Sequence, residues 1–203
     1  MVAAGKPASL AGVVLAGGSS PWQGREHAMK QVPGSSAPMT MVEHAVGVVG
    51  ERCQPVFVVA SPGQSLPDLA ARVLRDDVRG HGGLLPAISR GLHAAAEAGA
   101  TWAFLCSVDA AVLTADVIDA VAARAAEVDA DIVLPWDGSN HYLAAVYRTE
   151  LAGQIDDLVA AGERNLPALI DRVDSQRVVI SDSHPSADAK PASGLRSLLG
   201  IGR

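Results

Sequence analysis

Three segments of the chain carry residue types that can hold and move a phosphate ester. The first is Leu15 to Ala28, LAGGSSPWQGREHA. Gly17 and Gly18 follow a short apolar run directly, and Gly24 comes soon after. Glycines in that position let the backbone approach a phosphate closely and present its N–H groups. The segment lacks the Gly-Lys-Ser/Thr of a P-loop and the Gly-x-Gly-x-x-Gly of a dinucleotide site. On residue types alone it also reads as a plain Gly-rich strand-to-helix turn. The second segment is Trp102 to Thr114, WAFLCSVDAAVLT. Asp109 closes its apolar run, where a carboxylate can bridge a divalent cation to nucleotide phosphates. It can equally cap a turn. The third is Arg75 to Gly91, RDDVRGHGGLLPAISRG. Asp76 and Asp77 could accept hydrogen bonds from a guanine edge or a ribose, or be solvated loop carboxylates. Gly80, Gly82 and Gly83 then form a flexible turn into a helix.

These segments need a scaffold, and the apolar pattern supplies one. Short apolar runs at 11–16, 55–60, 72–74, 102–108, 132–135, 142–147 and 177–180 lack alternation, as expected of strands buried on both faces. Between them, apolar residues at helical spacing predict helices over 39–51, 84–98, 114–128, 149–160 and 165–173. Thr114 is the expected N-cap of the third. Strands alternating with helices imply βαβ units and a mainly parallel sheet. Such sheets bind ligands at the carboxyl ends of their strands, where Gly17 and Asp109 would both lie. One domain is expected over residues 8–181. Residues 1–7 and 182–203 are expected to be flexible tails, because Ser181 to Gly194 has almost nothing to bury.

Composition narrows the partners. The 203 residues carry 16 Lys+Arg against 22 Asp+Glu, a formal net charge of −6, and only 3 of the basic residues are Lys. A chain so acidic is not a general nucleic-acid or anionic-membrane binder. No stretch approaches the ~20 apolar residues of a membrane span. Leu10 to Gly18 is too short for a signal-peptide core. Cys53 and Cys106 are far apart, with no Cys-x-x-Cys and no zinc spacing, so Cys106 reads as a buried reduced thiol. A soluble cytoplasmic protein is expected. His44, His81, His93, His141 and His184 show no ligand spacing and read as surface or loop histidines.

Taken in order, LAGG, Gly-Arg-Glu-His-Ala, Asp-x-x-x-Gly-x-Gly-x-Leu and a strand ending Val-Asp resemble the molybdenum cofactor guanylyltransferase family. The runs DIVLPWDGSNHYLAAVYRTEL and GERNLPALID agree with that resemblance, which spans Leu10 to about Ile180. It implies a Rossmann-like three-layer α/β/α nucleotidyltransferase fold. It implies transfer of GMP from GTP to molybdopterin phosphate, with pyrophosphate released and cofactor-accepting enzymes as further partners. It implies that Leu15, Ala16, Gly17 and Gly18 cradle guanine and phosphates, with Asp76 and Gly82 beside them. Asp109 would hold magnesium, and His27 and Arg25 would face the triphosphate.

The departures from the pattern bear on activity. The family's first loop reads Gly-Gly-x-Ser-x-Arg-Met-Gly-x-Asp-Lys-Ala. Here Trp22 stands at the Arg and His27 at the Lys. Nucleotidyl transfer depends on positioning and charge neutralisation, and one such contact is worth ~3 kcal/mol or 10²–10³-fold in rate. His27 replaces a Lys only when protonated, against a reference imidazole pKa of about 6.5. Arg25 and Arg90 are the candidate substitutes. Gly83 also replaces a Pro, Ala110-Ala111 replace Met-Pro after the strand-end Asp, and Asp188-Ala189-Lys190 stands where the family has Asn-x-Asn. Two alternatives follow: a degenerate paralogue that binds nucleotide or a partner without turnover, and a nucleotidyltransferase for another nucleotide or acceptor.

Overall fold

The computed structural model describes residues 9–17, 28–33, 38–75, 83–110 and 113–180. Seven strands form one sheet: β1 (Leu10–Leu15), β2 (Val56–Ala60), β3 (Arg72–Arg75), β4 (Trp102–Ser107), β5 (Ile132–Trp136), β6 (Ala144–Arg148) and β7 (Ser175–Val179), in the order β3-β2-β1-β4-β6-β5-β7. Only β6 runs antiparallel to its neighbours. The helices that lie wholly among the described residues are α1 (Met41–Gly50), α2 (Leu84–Glu97), α3 (Ala115–Ala125), α4 (Leu151–Ala160) and the short α5 (Pro167–Ile170). The expected α/β/α sandwich and mainly parallel sheet are both present.

The layers follow from side-chain parity along β1. Ala11, Val13 and Leu15 point into a core closed by α2, α4 and α5, through residues such as Leu92, Ile155 and Leu169. Val14 and Ala16 point into the opposite core, closed by α1 and α3 through Val49 and Ile118. A strand covered on both faces has no polar side to show, which explains the unalternated run. The same expectation fails for β3 and β7. Val73 and Val179 are exposed, and both strands lie at the rims of the sheet. An edge strand borders solvent along one side and is incompletely roofed by helices, so its run of apolar residues does not report two-sided burial.

Each helix start has a local cause. Thr40 caps α1 with a capping box: the Glu43 amide donates to its hydroxyl, and the Glu43 carboxylate accepts from the Thr40 amide at 2.7 Å. The Thr40 hydroxyl also donates to that carboxylate at 2.6 Å, and this bond, with the one from the Thr40 amide, holds the Glu43 carboxyl below its usual range. Thr114 caps α3 as expected, accepting from the Val117 amide at 3.2 Å. Gly83 offers α2 no side-chain cap. Instead the Leu85 amide donates to the Arg164 carbonyl at 3.2 Å, which binds α2 to the loop between α4 and α5.

Helices approach β1 through glycine from both sides. A Cβ at Gly12 would stand 2.3 Å from Val49 Cγ1 of α1, and one at Gly91 of α2 would stand 2.4 Å from Val13 Cγ1. Val13 is fully buried and β-branched, so it cannot swing aside. Gly91→Ala should therefore destabilise the fold by about 1–3 kcal/mol through overpacking. That outcome holds despite the ~1 kcal/mol helix-propensity advantage of Ala. Denaturant unfolding measures it, and a neutral or stabilising result would contradict the close approach.

Candidate functional site at the carboxyl edge of the sheet

The chain leaves β1 toward β2 through α1, and leaves β3 toward β4 through α2 on the other face. The direction of travel therefore reverses between β1 and β4, which makes the carboxyl ends of these two strands the switch point of the sheet, the place where such sheets bind ligands. Leu15 pairs with Ser107, and the Val108 amide donates to the Leu15 carbonyl at 3.3 Å. Gly17 and Asp109 thus follow the ends of adjacent parallel strands, and Asp109 is exposed there. This is the juxtaposition expected from the sequence.

Leu15 and Ala16 are buried, 4% and 0% exposed, so any ligand meets them through backbone atoms. The Ala16 and Gly17 amides both donate to the Val59 carbonyl, at 2.9 and 3.1 Å. The Gly17 N–H is thus held within the fold rather than offered outward. A side chain there would put its Cβ 2.8 Å from Ser61 Oγ and 2.9 Å from Ser61 N. Glycine is needed at this position for a close approach between two loops. Downstream, Ala28 is fully buried in the α1 side of the core. Gly18, Arg25, His27, Asp76 and Gly82 lie outside the described residues.

The loop after β2 was not singled out in the sequence, yet it carries the most constrained polar group at this edge. Ser61-Pro62-Gly63-Gln64 is a turn closed by the Gln64 amide donating to the Ser61 carbonyl at 3.2 Å, with Gly63 at φ 66°. Pro at the second position and a left-handed Gly at the third are the demands of a type II turn. The turn brings the Gln64 side chain, 5% exposed, back over Ser61. Its Oε1 accepts from the Ser61 amide at 3.0 Å, and its Nε2 donates to the Ala16 carbonyl at 3.0 Å. Arg75, at the end of β3, donates to the carbonyls of Gln64 and Ser61.

The β5–β6 connection reaches the same edge. The Ser107 amide donates to the Leu143 carbonyl at 3.1 Å. Within it, His141 is no plain surface histidine: its side chain is 16% exposed, and Nε2 lies 2.8 Å from Asp137 Oδ1. Burial pulls the Asp137 carboxyl upward, but the hydrogen bond and charge of His141 and the Ser139 amide outweigh it and hold it below its usual value. Arg177 of β7 donates through Nε to Asn140 Oδ1 at 2.7 Å. Four of these residues lie within the β5–β6 connection, and Arg177 joins them from β7, 37 residues away from Asn140. Arg90, the other candidate cation, lies on the exposed face of α2. His93 also has a partner, with Nε2 2.7 Å from Asp156, whose other oxygen accepts from Ser89.

Both cysteines are buried and unpaired, as expected of Cys106. Burial pushes the Cys53 thiol up to about 12 and the Cys106 thiol higher, so neither serves as thiolate nucleophile or metal ligand. Among the described residues no group of three or more His, Cys, Asp or Glu converges to hold a metal. A groove of about 730 Å³ lies between α1 and residues 68–72, beside the start of β2. It is therefore at the other end of the strands from Gly17 and Asp109. No helix among them is long and apolar enough to cross a membrane.

A mainly parallel sheet with a glycine-walled loop and a strand-end carboxylate at its switch point defines a nucleotidyltransferase-like α/β fold. Residues 12–178 match the family of MobA-like NTP transferase domains, and the chain belongs to that family. A Mycobacterium marinum protein named probable molybdenum cofactor guanylyltransferase is 58% identical over 187 residues, covering 92% of each chain. Among solved structures, molybdopterin-guanine dinucleotide biosynthesis protein A from Archaeoglobus fulgidus superposes with a TM-score of 0.58 at 16% identity, covering 83% of this chain and 82% of that one. A Mycobacterium tuberculosis protein in complex with manganese superposes with a TM-score of 0.54 at 15% identity, covering 86% and 89%.

The Asp137–His141 pair makes a pH prediction. The folded-state carboxyl lies below its unfolded value, so its stabilisation is present above the ordinary Asp pKa of about 3.9 and is lost as pH falls through the lower folded value. Asp137→Asn should be less stable than the wild type at neutral pH. The two should converge in urea titrations carried below about pH 3. A gap that persists unchanged into acid would show that the carboxylate is not what matters.

Proposed function

We propose that this chain is a molybdenum cofactor guanylyltransferase: it transfers GMP from GTP to the terminal phosphate of molybdopterin and releases pyrophosphate. One observation carries the reading. A chain with a 58% identical relative named for this activity places Gly17 and Asp109 side by side at the switch point of the sheet. The cytoplasm is the proposed setting, and cofactor-accepting enzymes are the proposed onward partners.

In the reaction an oxygen of the acceptor phosphate attacks the α-phosphorus of GTP. A new P–O bond forms, the bond from the α-phosphorus to the bridging oxygen breaks, and pyrophosphate leaves with the electron pair. The protein needs to supply no nucleophile. Its work is to hold the two phosphates in line and to offset charge. On this reading Leu15, Ala16, Gly17 and Gly18 hold guanine and phosphates, Asp76 and Gly82 take part in nucleotide binding, and Arg25 and His27 offset triphosphate charge.

Asp109 places an exposed carboxylate at the end of β4, and among the described residues no group of three or more ligating side chains gathers to hold a metal. That fits magnesium, which keeps several waters and completes its shell with substrate phosphates. When bound, the ion would neutralise phosphate charge beside the α-phosphorus. Asp109 is the residue that would hold it, and manganese, found in a neighbour of the same fold, is a convenient probe.

A second reading has its own support. Trp22 and His27 replace the Arg and Lys of the family's loop, so binding without turnover is the alternative. Pyrophosphate release from GTP, with magnesium and molybdopterin as acceptor, separates the two. Release above a protein-free blank supports the transferase, while GTP binding without release supports the paralogue. Asp109→Asn should lower the metal-dependent rate by roughly 10²–10³-fold. Calorimetry with manganese and GTP should show the matching loss of metal affinity.

Restoring the cations tests the placement of the loop. Trp22→Arg with His27→Lys should tighten GTP binding by roughly tenfold or more. The contribution of Lys at 27 should be larger at pH 8 than at pH 6, because a histidine near its reference pKa of about 6.5 is itself charged at the lower value. An unchanged affinity would mean that these positions do not face the triphosphate.

A further inference from the structure

We propose that Gln64 is a positioning residue for the nucleotide wall: its buried carboxamide fixes the Ala16 carbonyl, and with it the path of the chain into the Gly-rich segment. The inference rests on the nucleotide-transfer reading above and adds a residue that neither the family pattern nor the sequence motifs assign.

The geometry leaves the side chain one role. Gln64 lies outside β1, β2 and β3, yet it is one of four buried polar or charged residues among those described. Its amide orientation is determined by its partners. Ser61 N is a donor and Ala16 O is an acceptor, so Oε1 must face the first and Nε2 the second. Each bond does separate work. The first locks the turn after β2. The second ties that turn to the last residue before Gly17.

The surrounding contacts make the tie stiff. Gly17 is pressed against Ser61 so closely that a Cβ would lie 2.8 Å from its Oγ. The Val59 carbonyl takes both the Ala16 and the Gly17 amides. Arg75 holds the far side of the turn through the Ser61 and Gln64 carbonyls, one residue before Asp76. Three strand ends are thus joined around one carboxamide. Without it, the buried Ala16 carbonyl loses its side-chain donor, and the turn after β2 loses its side-chain tie to the chain entering Gly17. Misalignment of about 1 Å at a reacting centre costs on the order of 10²-fold in rate.

Glutamine is also the only residue of this length that satisfies both partners. A glutamate can accept from Ser61 N but cannot donate to Ala16 O while ionised. That asymmetry gives a test that a purely structural role would not pass. GTP affinity is measured by calorimetry, with manganese present, on the full chain. The variants are Gln64→Met, Gln64→Glu and Thr149→Val. Thr149 is equally buried, donates to the Ala100 carbonyl at 2.8 Å, and sits at the opposite edge of the sheet.

Gln64→Met should weaken GTP binding by roughly tenfold, through lost preorganisation of the wall. Thr149→Val should lower the melting temperature and leave GTP affinity within about twofold, since the site is remote. Gln64→Glu should bind GTP weakly at neutral pH. Relative to the wild type it should recover as pH falls and its carboxyl gains the proton that donates to Ala16. Wild-type affinity in both Gln64 variants would overturn the proposal. So would an affinity loss in Thr149→Val equal to that in Gln64→Met. If Gln64→Met does not fold, the pH profile of Gln64→Glu decides alone, and a flat ratio to the wild type overturns the proposal. Failure of the wild type itself to bind GTP would instead remove the nucleotide reading on which the proposal stands.

Discussion

Strand β1 is held by backbone-scale contacts on every side, and the site inherits its position from them. Gly12 admits α1 on one face, and Val13 meets Gly91 of α2 on the other, each at a separation no side chain could share. In the plane of the sheet, β1 is paired residue by residue with β2 and β4. Packing at interior density leaves such a strand no room to slide. Rigidity at Ala16 and Gly17 therefore comes from the core and the paired strands behind them.

That rigidity bears on how an acidic chain accommodates a polyphosphate. Arginines near this edge are engaged with acceptors of the protein itself: Arg75 with the Ser61 and Gln64 carbonyls, Arg164 with the Val159 and Glu163 carbonyls, Arg177 with Asn140. They hold loops in place as guanidinium clamps, using the several donors that a lysine lacks. Affinity for an anion then has to come from oriented backbone dipoles, the metal and the residues of the Gly-rich segment. In this arrangement side-chain cations are a smaller part of the design than shape is. A loop that has replaced an Arg and a Lys fits that balance.

The large features of the molecule were legible in the residues for a simple reason. Burial on two faces demands long apolar runs, so β1, β2, β4 and the helices between them could be read from periodicity. Asp109 at a strand end and Gly17 beside it followed from the order of those runs. The rims were misread because Val73 and Val179 are apolar without being covered, and no local pattern distinguishes an edge strand from a central one. Gln64 was not read at all. The Pro-Gly of its turn is a visible signal, but its partner at Ala16 is 48 residues away, and nothing in the local sequence marks that contact. His141 differs: its partner Asp137 is only four residues away, but a carboxylate at that spacing in a loop does not by itself mark a contact, and the nearby Asn140 is held by Arg177 of β7 from 37 residues off.

Every bond of the Gln64 clamp lies between residues 16 and 75, within the stretch from β1 to β3. The Asp137–His141 pair and Asp109 belong to the later stretch, from β4 onward. The two stretches meet along β1 and β4, where the Val108 amide donates to the Leu15 carbonyl, and both contribute to each of the two cores, so neither stretch can be exchanged without rebuilding the packing of the other.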